Sequence, residues 1–202
     1  MDMQSHLALL LPVAAVWWTV GYLADGLPRL KHARELRQHS GRLLALTLTA
    51  LGLTMALPIA GLVTVGPTLA DRAADGLTLA AVPALLVAGC TVRRLRRLWA
   101  GAGALAVAAG TPAPHGLRAA AAHPLIGLPL QVTGLALLPA VIVASGAGQY
   151  LGPSATGPAI TIAALAVASI GVRHALRHNR FAERAMPERV SSPHPTAGAL
   201  HV

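Results

Sequence analysis

Long uncharged apolar stretches alternate in this chain with short segments that hold nearly every basic residue. Of its 16 Lys and Arg residues, only Arg72 lies outside residues 25–42, 93–124 and 173–202. A stretch of about 18 or more apolar residues is long enough to cross a bilayer. Inside lipid every backbone amide and carbonyl needs an internal partner, so a span is a helix or part of a closed barrel. The apolar runs here are continuous rather than alternating, which selects helices. Lys and Arg collect in cytoplasmic loops, so the spacing also predicts an orientation.

Composition agrees. The chain has 202 residues, 54% of them apolar and 11% charged, with a mean hydropathy of +0.60. A soluble domain carries about 25% charged residues. The net charge of +9 raises the question of nucleic acid. The basic residues flank spans without interleaved aromatics, however, and anionic lipid headgroups account for them. The excess of Arg over Lys, with abundant Ala, Gly, Leu and Val, points to a high-GC genome and a bacterial inner membrane. The single cysteine, Cys90, excludes an intrachain disulfide and reads as a packing residue. Residues 1–6 carry no Lys or Arg, and the positive charge follows the first apolar run. That order predicts a retained first helix with its N-terminus outside.

The expected fold is an all-α bundle of five transmembrane helices, at residues 7–24, 43–66, 77–92, 125–148 and 158–172, with the C-terminus cytoplasmic. Residues 1–185 form one domain, and the proline- and serine-bearing segment 186–202 is expected to be disordered. Residues 28–40 read as an amphipathic cytoplasmic helix, with Leu30, Ala33 and Leu36 on one face. The apolar piece 99–110 is too short to span and reads as interfacial or re-entrant. Residues 67–76 and 149–157 become external loops. Two hairpins, spans 2–3 and 4–5, look alike. Thr49 to Leu53 precedes Pro58 as Thr133 to Leu137 precedes Pro139, and the hairpins end in Val92-Arg93-Arg94 and Val172-Arg173-His174. Parallel repeats of this kind occur in transport folds.

No predicted span contains Asp, Glu, Lys, Arg or His. Such residues mark proton relays, coupled carriers, voltage sensors and haem sites, so those classes recede. Gln131, the only amide in a span, reads as a partner in an interhelical hydrogen bond or as a solute contact. Gly127 lies four residues before it. Pro58, Pro83 and Pro139 are candidates for breaking their helices and exposing backbone to a cavity. Asp71 and Asp75 are four apart, with two readings: a cation held between carboxylates, or Asp75 capping the third span while Asp71 pairs with Arg72. His174 and His178 have the spacing of a two-histidine metal site. The arginines around them make a solvated basic face the better reading, and no cofactor is expected.

Asp25-Gly26-Leu27-Pro28-Arg29 resembles the opening of the CDP-alcohol phosphatidyltransferase motif. That motif continues with Ala-Arg, a Gly and two further Asp in the same helix pair. Here the only later pair, Asp71 and Asp75, is predicted on the opposite face of the membrane, so nothing is carried over. The leading expectation is a non-catalytic accessory or assembly subunit of a membrane complex, with a membrane-protein partner or a second copy as its contact. A carrier for a neutral or amphipathic solute is second. An interfacial lipid-modifying enzyme using Asp25, His32 and Glu35, or Asp71 and Asp75, is third.

Overall fold

Five helical units long and apolar enough to cross a membrane account for most of the chain: Leu7–Arg29, Ala33–Val63, Thr78–Leu105, His115–Ala144 and Thr156–Ala185. The computed structural model describes residues 7–63, 69–108, 110–150 and 152–186. Among these there is no β-strand, only an isolated bridge between His32 and Pro112. The fold is therefore an all-helical, multi-pass membrane architecture. The proposed tail at 187–202 lies outside the described residues.

Helix α1 (Leu7–Gly26) sits at the centre, burying Leu10, Val13, Trp17, Val20 and Ala24. A 3₁₀ turn at Leu27–Arg29 follows, and α2 (Ala33–Val63) then runs unbroken through Gly41 and Pro58. The separate amphipathic helix expected at 28–40 is thus corrected: its residues from Ala33 onward form the first turns of α2. Buried Ala33, Leu36, Ser40, Leu43, Thr47, Ala50 and Thr54 recur at alternating steps of three and four. That seam keeps one face toward the bundle along the whole helix and outweighs the roughly 1 kcal/mol cost of an interior glycine. At about 1.5 Å per residue α2 is ~46 Å long, well beyond a ~30 Å hydrocarbon layer.

Helix α3 (Leu69–Gly76) replaces much of the loop expected at 67–76 and lies against α1, α2 and α8. Helix α4 (Thr78–Leu86) passes through a π-helical turn at Val87–Thr91 into α5 (Val92–Leu105). Residues 99–105 are accordingly the end of one long helix, with Leu95, Leu98 and Ala102 buried. The π turn re-phases that helix. Before the turn α4 packs on α7, and after it α5 packs along α2.

The fourth unit is segmented. Helix α6 (His115–Ala121) ends before His123, whose Nδ1 accepts the Leu125 amide at 3.2 Å and caps α7 (Pro124–Ala136), with Pro124 in the first turn. A break at Leu137 separates α7 from α8 (Leu138–Ala144), where Pro139 removes the amide that would bond the Leu135 carbonyl. Pro58 lacks the same amide, yet α2 continues through it.

Helix α9 (Thr156–Ala185) packs on α6 and α7. His174 is its only fully buried residue. The three arginine-rich segments meet at one end of the bundle. Ala33 N–H donates to the Thr111 carbonyl at 3.0 Å and Ala113 N–H to the Lys31 carbonyl at 2.7 Å. Arg177 reaches Asp25 from α9.

Candidate functional site

Near the arginine-rich end, α1, α7 and α9 are joined by a polar junction. Gln131 of α7 donates from Nε2 to the Gly21 carbonyl of α1 at 3.2 Å. Its Oε1 accepts from Arg173 Nη2 at 3.0 Å and lies 3.1 Å from His174 Nε2. One amide therefore holds three helices together. Gly127, one turn earlier on α7, leaves the space into which the His174 ring fits, and a methyl group there would overlap the ring. His174 is 4% exposed, which corrects the solvated-face reading of that residue.

The outer layer of the junction is ionic. Arg177 binds Asp25 in a bidentate fork, Nη1 to Oδ1 at 2.9 Å and Nη2 to Oδ2 at 3.4 Å. Its Nη1 also donates to the Asp25 backbone carbonyl at 2.9 Å. That carbonyl is among the last four of α1, which have no partner within the helix, and a cation there also suits the helix dipole. Arg173 approaches Asp25 Oδ1 at 3.1 Å and Arg29 approaches Oδ2 at 3.5 Å. Three guanidinium groups meet one carboxylate, so the junction keeps a positive excess.

Beside the junction runs a groove of about 500 Å³, walled by Trp17, Trp18, Tyr22 and Leu138, with Gln131 and Arg173 at its polar end. Trp18 Nε1 donates to the Gly134 carbonyl at 2.8 Å, and Trp17 Nε1 donates to Thr54 Oγ1 at 2.9 Å. Gly134 O is one of the last four carbonyls of α7, so the indole supplies a partner the helix cannot. These contacts fix the aromatic wall to α2 and α7.

Other sequence candidates are dispersed. His178 lies against His123, ring centroids 4.9 Å apart. Among the described residues no three His, Cys, Asp or Glu side chains converge as a metal site. Asp75 and Pro139 line one shallow hollow of about 300 Å³ at the opposite end. Asp75 does not cap α4. Leu77 holds that position without a side-chain bond, and Thr78 Oγ1 donates to the Asp75 carbonyl at 2.9 Å. The Asp71 side chain, and its pairing with Arg72, lie outside the described residues. Pro58 is half-buried within α2. His32 pairs with Glu35 at 3.4 Å, away from Asp25's partners. Sequence reading did not join Asp25 to Arg173 and Arg177. The available signal was that Asp25 is an acid heading a basic segment, with two arginines one turn apart at the end of the last span.

The fold and junction define a helical, multi-pass class of membrane protein. No protein-family model matches the chain, and no curated protein or solved structure does so either.

Proposed function

We propose that this chain is a non-catalytic accessory or assembly subunit, docking another membrane protein through the apolar half of α9. The observation that carries this reading is the uneven packing of that helix. From Thr156 to Val172 none of its residues is buried, and Ile160 and Leu165 are more than 60% exposed (65% and 62%). The other half is anchored by His174 and Arg177. Along the free half Ala159, Ala163 and Ala166 recur on one face. Small residues at such spacing let a second helix approach closely, and in lipid that close packing is what favours association.

The orientation belongs to the same proposal: N-terminus outside, arginine-rich end in the cytoplasm, in a bacterial inner membrane. A second reading, a carrier for an amphipathic solute, draws support from the groove beside Trp18 and Gln131.

Photo-crosslinking from position 163 in native membranes tests the docking. A discrete adduct with another membrane protein, lost in Ala159→Ile/Ala163→Ile, is the expected result. A self-adduct would make the partner a second copy. No adduct, together with solute flux by the isolated chain in proteoliposomes, would replace this reading with the carrier.

A further inference from the structure

We infer that the groove between the start of α2 and the end of α5 binds the phosphate-bearing headgroup of an anionic lipid. This groove of about 670 Å³ is lined by Arg34, Arg37 and Arg42, with Gln38, Trp99 and Val107 among the residues around them. The three arginines fall within about two helical turns on the exposed side of α2, spread over about 140° of its circumference. Among the described residues no carboxylate pairs with any of them, and the adjacent acid, Glu35, is engaged by His32. Like charges lining one groove without a counter-ion repel one another, and a bound anion relieves that repulsion.

The groove is built rather than incidental. The Arg37 guanidinium stacks over the Trp99 ring, 5.6 Å from its centroid, which fixes its orientation while its donors stay available. Gly41 gives Trp99 its seat: a Cβ there would lie 3.1 Å from the indole Nε1. Gly103 of α5 does the same for Arg37, at 3.3 Å from Nε. Planar guanidinium forks match phosphate oxygens two at a time.

The position on α2 selects a lipid over a free anion. Arg42 is the last charged residue of that helix, and residues 43–63 are uncharged. The arginine face therefore begins where the hydrocarbon layer ends. Above it on the same face Ala45, Leu48, Gly52 and Met55 are all exposed, and Gly52 has open space over it. A headgroup on Arg37 and Arg42 would direct an acyl chain up that stripe. Basic pockets between membrane helices hold acidic headgroups in this way. A second basic groove, around Arg180 and Arg184, contains Arg177, which already engages the Asp25 carboxylate. It is the weaker competitor. The α9 surface takes no part in the α2–α5 groove, so this inference and the docking proposal fail independently.

Native mass spectrometry of the full detergent-solubilised chain, titrated with phosphatidylglycerol, phosphatidylcholine or inorganic phosphate, tests it. The first phosphatidylglycerol should bind at least about tenfold more tightly than phosphatidylcholine, at about fivefold per arginine. Arg34→Gln/Arg37→Gln/Arg42→Gln should abolish that preference, and Arg180→Gln/Arg184→Gln should leave it intact. Gln38→Glu keeps every arginine and changes one exposed side chain, so a severalfold loss there reports the groove and not unfolding. Equal binding of the two lipids, or an unaffected triple variant, overturns the inference. Displacement of the lipid by inorganic phosphate at matching concentration would make the site one for free anions and overturn it as a lipid site.

Discussion

The hydroxyl of Thr91 donates to the backbone carbonyl of Leu125 at 2.7 Å. In an α-helix that carbonyl would be bonded by the amide four residues on, and that residue is Pro129, which has none. A side chain from the π turn therefore satisfies the vacancy that a proline opens in α7. Thr91 is fully buried, so no water replaces it. Thr91→Val should cost about 1 kcal/mol, within the range measured for interhelical hydrogen bonds in membranes. In a Pro129→Ala background the helix bonds its own carbonyl, and the same change should cost close to nothing. Unfolding of the four proteins of this cycle in mixed micelles gives the coupling directly. Equal costs in both backgrounds would show that the pairing does not contribute.

The fit of His174 against Gly127 leads to a size-swap prediction. Gly127→Ala puts a methyl group where the ring lies, and overpacking of this kind costs about 1–3 kcal/mol. His174→Ala removes the ring and one of the groups on Gln131 Oε1, and should also destabilise. Combined, the two changes should recover part of the loss, because the methyl then enters the space the ring vacates. Thermal unfolding of the double variant checks this. A purely additive result would mean that the two residues do not compete for one volume.

Asp25 and its three arginines should separate by burial. Asp25 is 18% exposed and Arg177 20%, whereas Arg29 is 72% exposed. Asp25→Asn leaves a half-buried Arg177 without a countercharge and should cost about 2 kcal/mol, in the range of hydrogen bonds to charged groups. Arg29→Gln removes only a solvent-screened contact and should change stability by less than about 1 kcal/mol. Raising salt should narrow the Arg29 effect and leave most of the Asp25 effect. Melting curves at low and high salt give both comparisons.

What the sequence made legible follows from single-residue energetics. A charge in hydrocarbon is expensive, so the uncharged runs and the arginine clusters announce five helices before any contact is known. Helix ends were harder. Gly41 and the basic residues around it read as a boundary. The buried seam from Ala33 to Thr54 carries α2 straight through, and that seam depends on packing against α1, α3 and α5, which lie outside the segment itself. His174 illustrates the same limit. Its neighbours Arg173 and Arg177 read as a wetted surface, but Arg177, three residues on, shares the face of His174 that turns toward the bundle, where it binds Asp25. His174 meets α7 where Gly127 leaves a gap. The gap was visible as a glycine one turn from Gln131, while its occupant was decided only by tertiary packing.

Orientation can be read from outside the cell. Position 75 lies at the end of the bundle opposite the arginines, and position 180 lies among them. Both side chains are exposed. Five crossings would put residues 7 and 186 on opposite sides of the membrane. The arginine-rich end resists translocation. In a Cys90→Ser background, Asp75→Cys should react with a membrane-impermeant maleimide on intact cells. Arg180→Cys should react only after the membrane is opened. The same arginines must stay on the side of synthesis for Arg34, Arg37 and Arg42 to meet the cytoplasmic leaflet, where acidic lipids give a negative surface potential. If Arg180→Cys were labelled on intact cells, the helices would stand but the orientation would reverse. The arginine groove would then face the outer leaflet, whereas docking along the apolar half of α9, which lies within the membrane, would be unaffected.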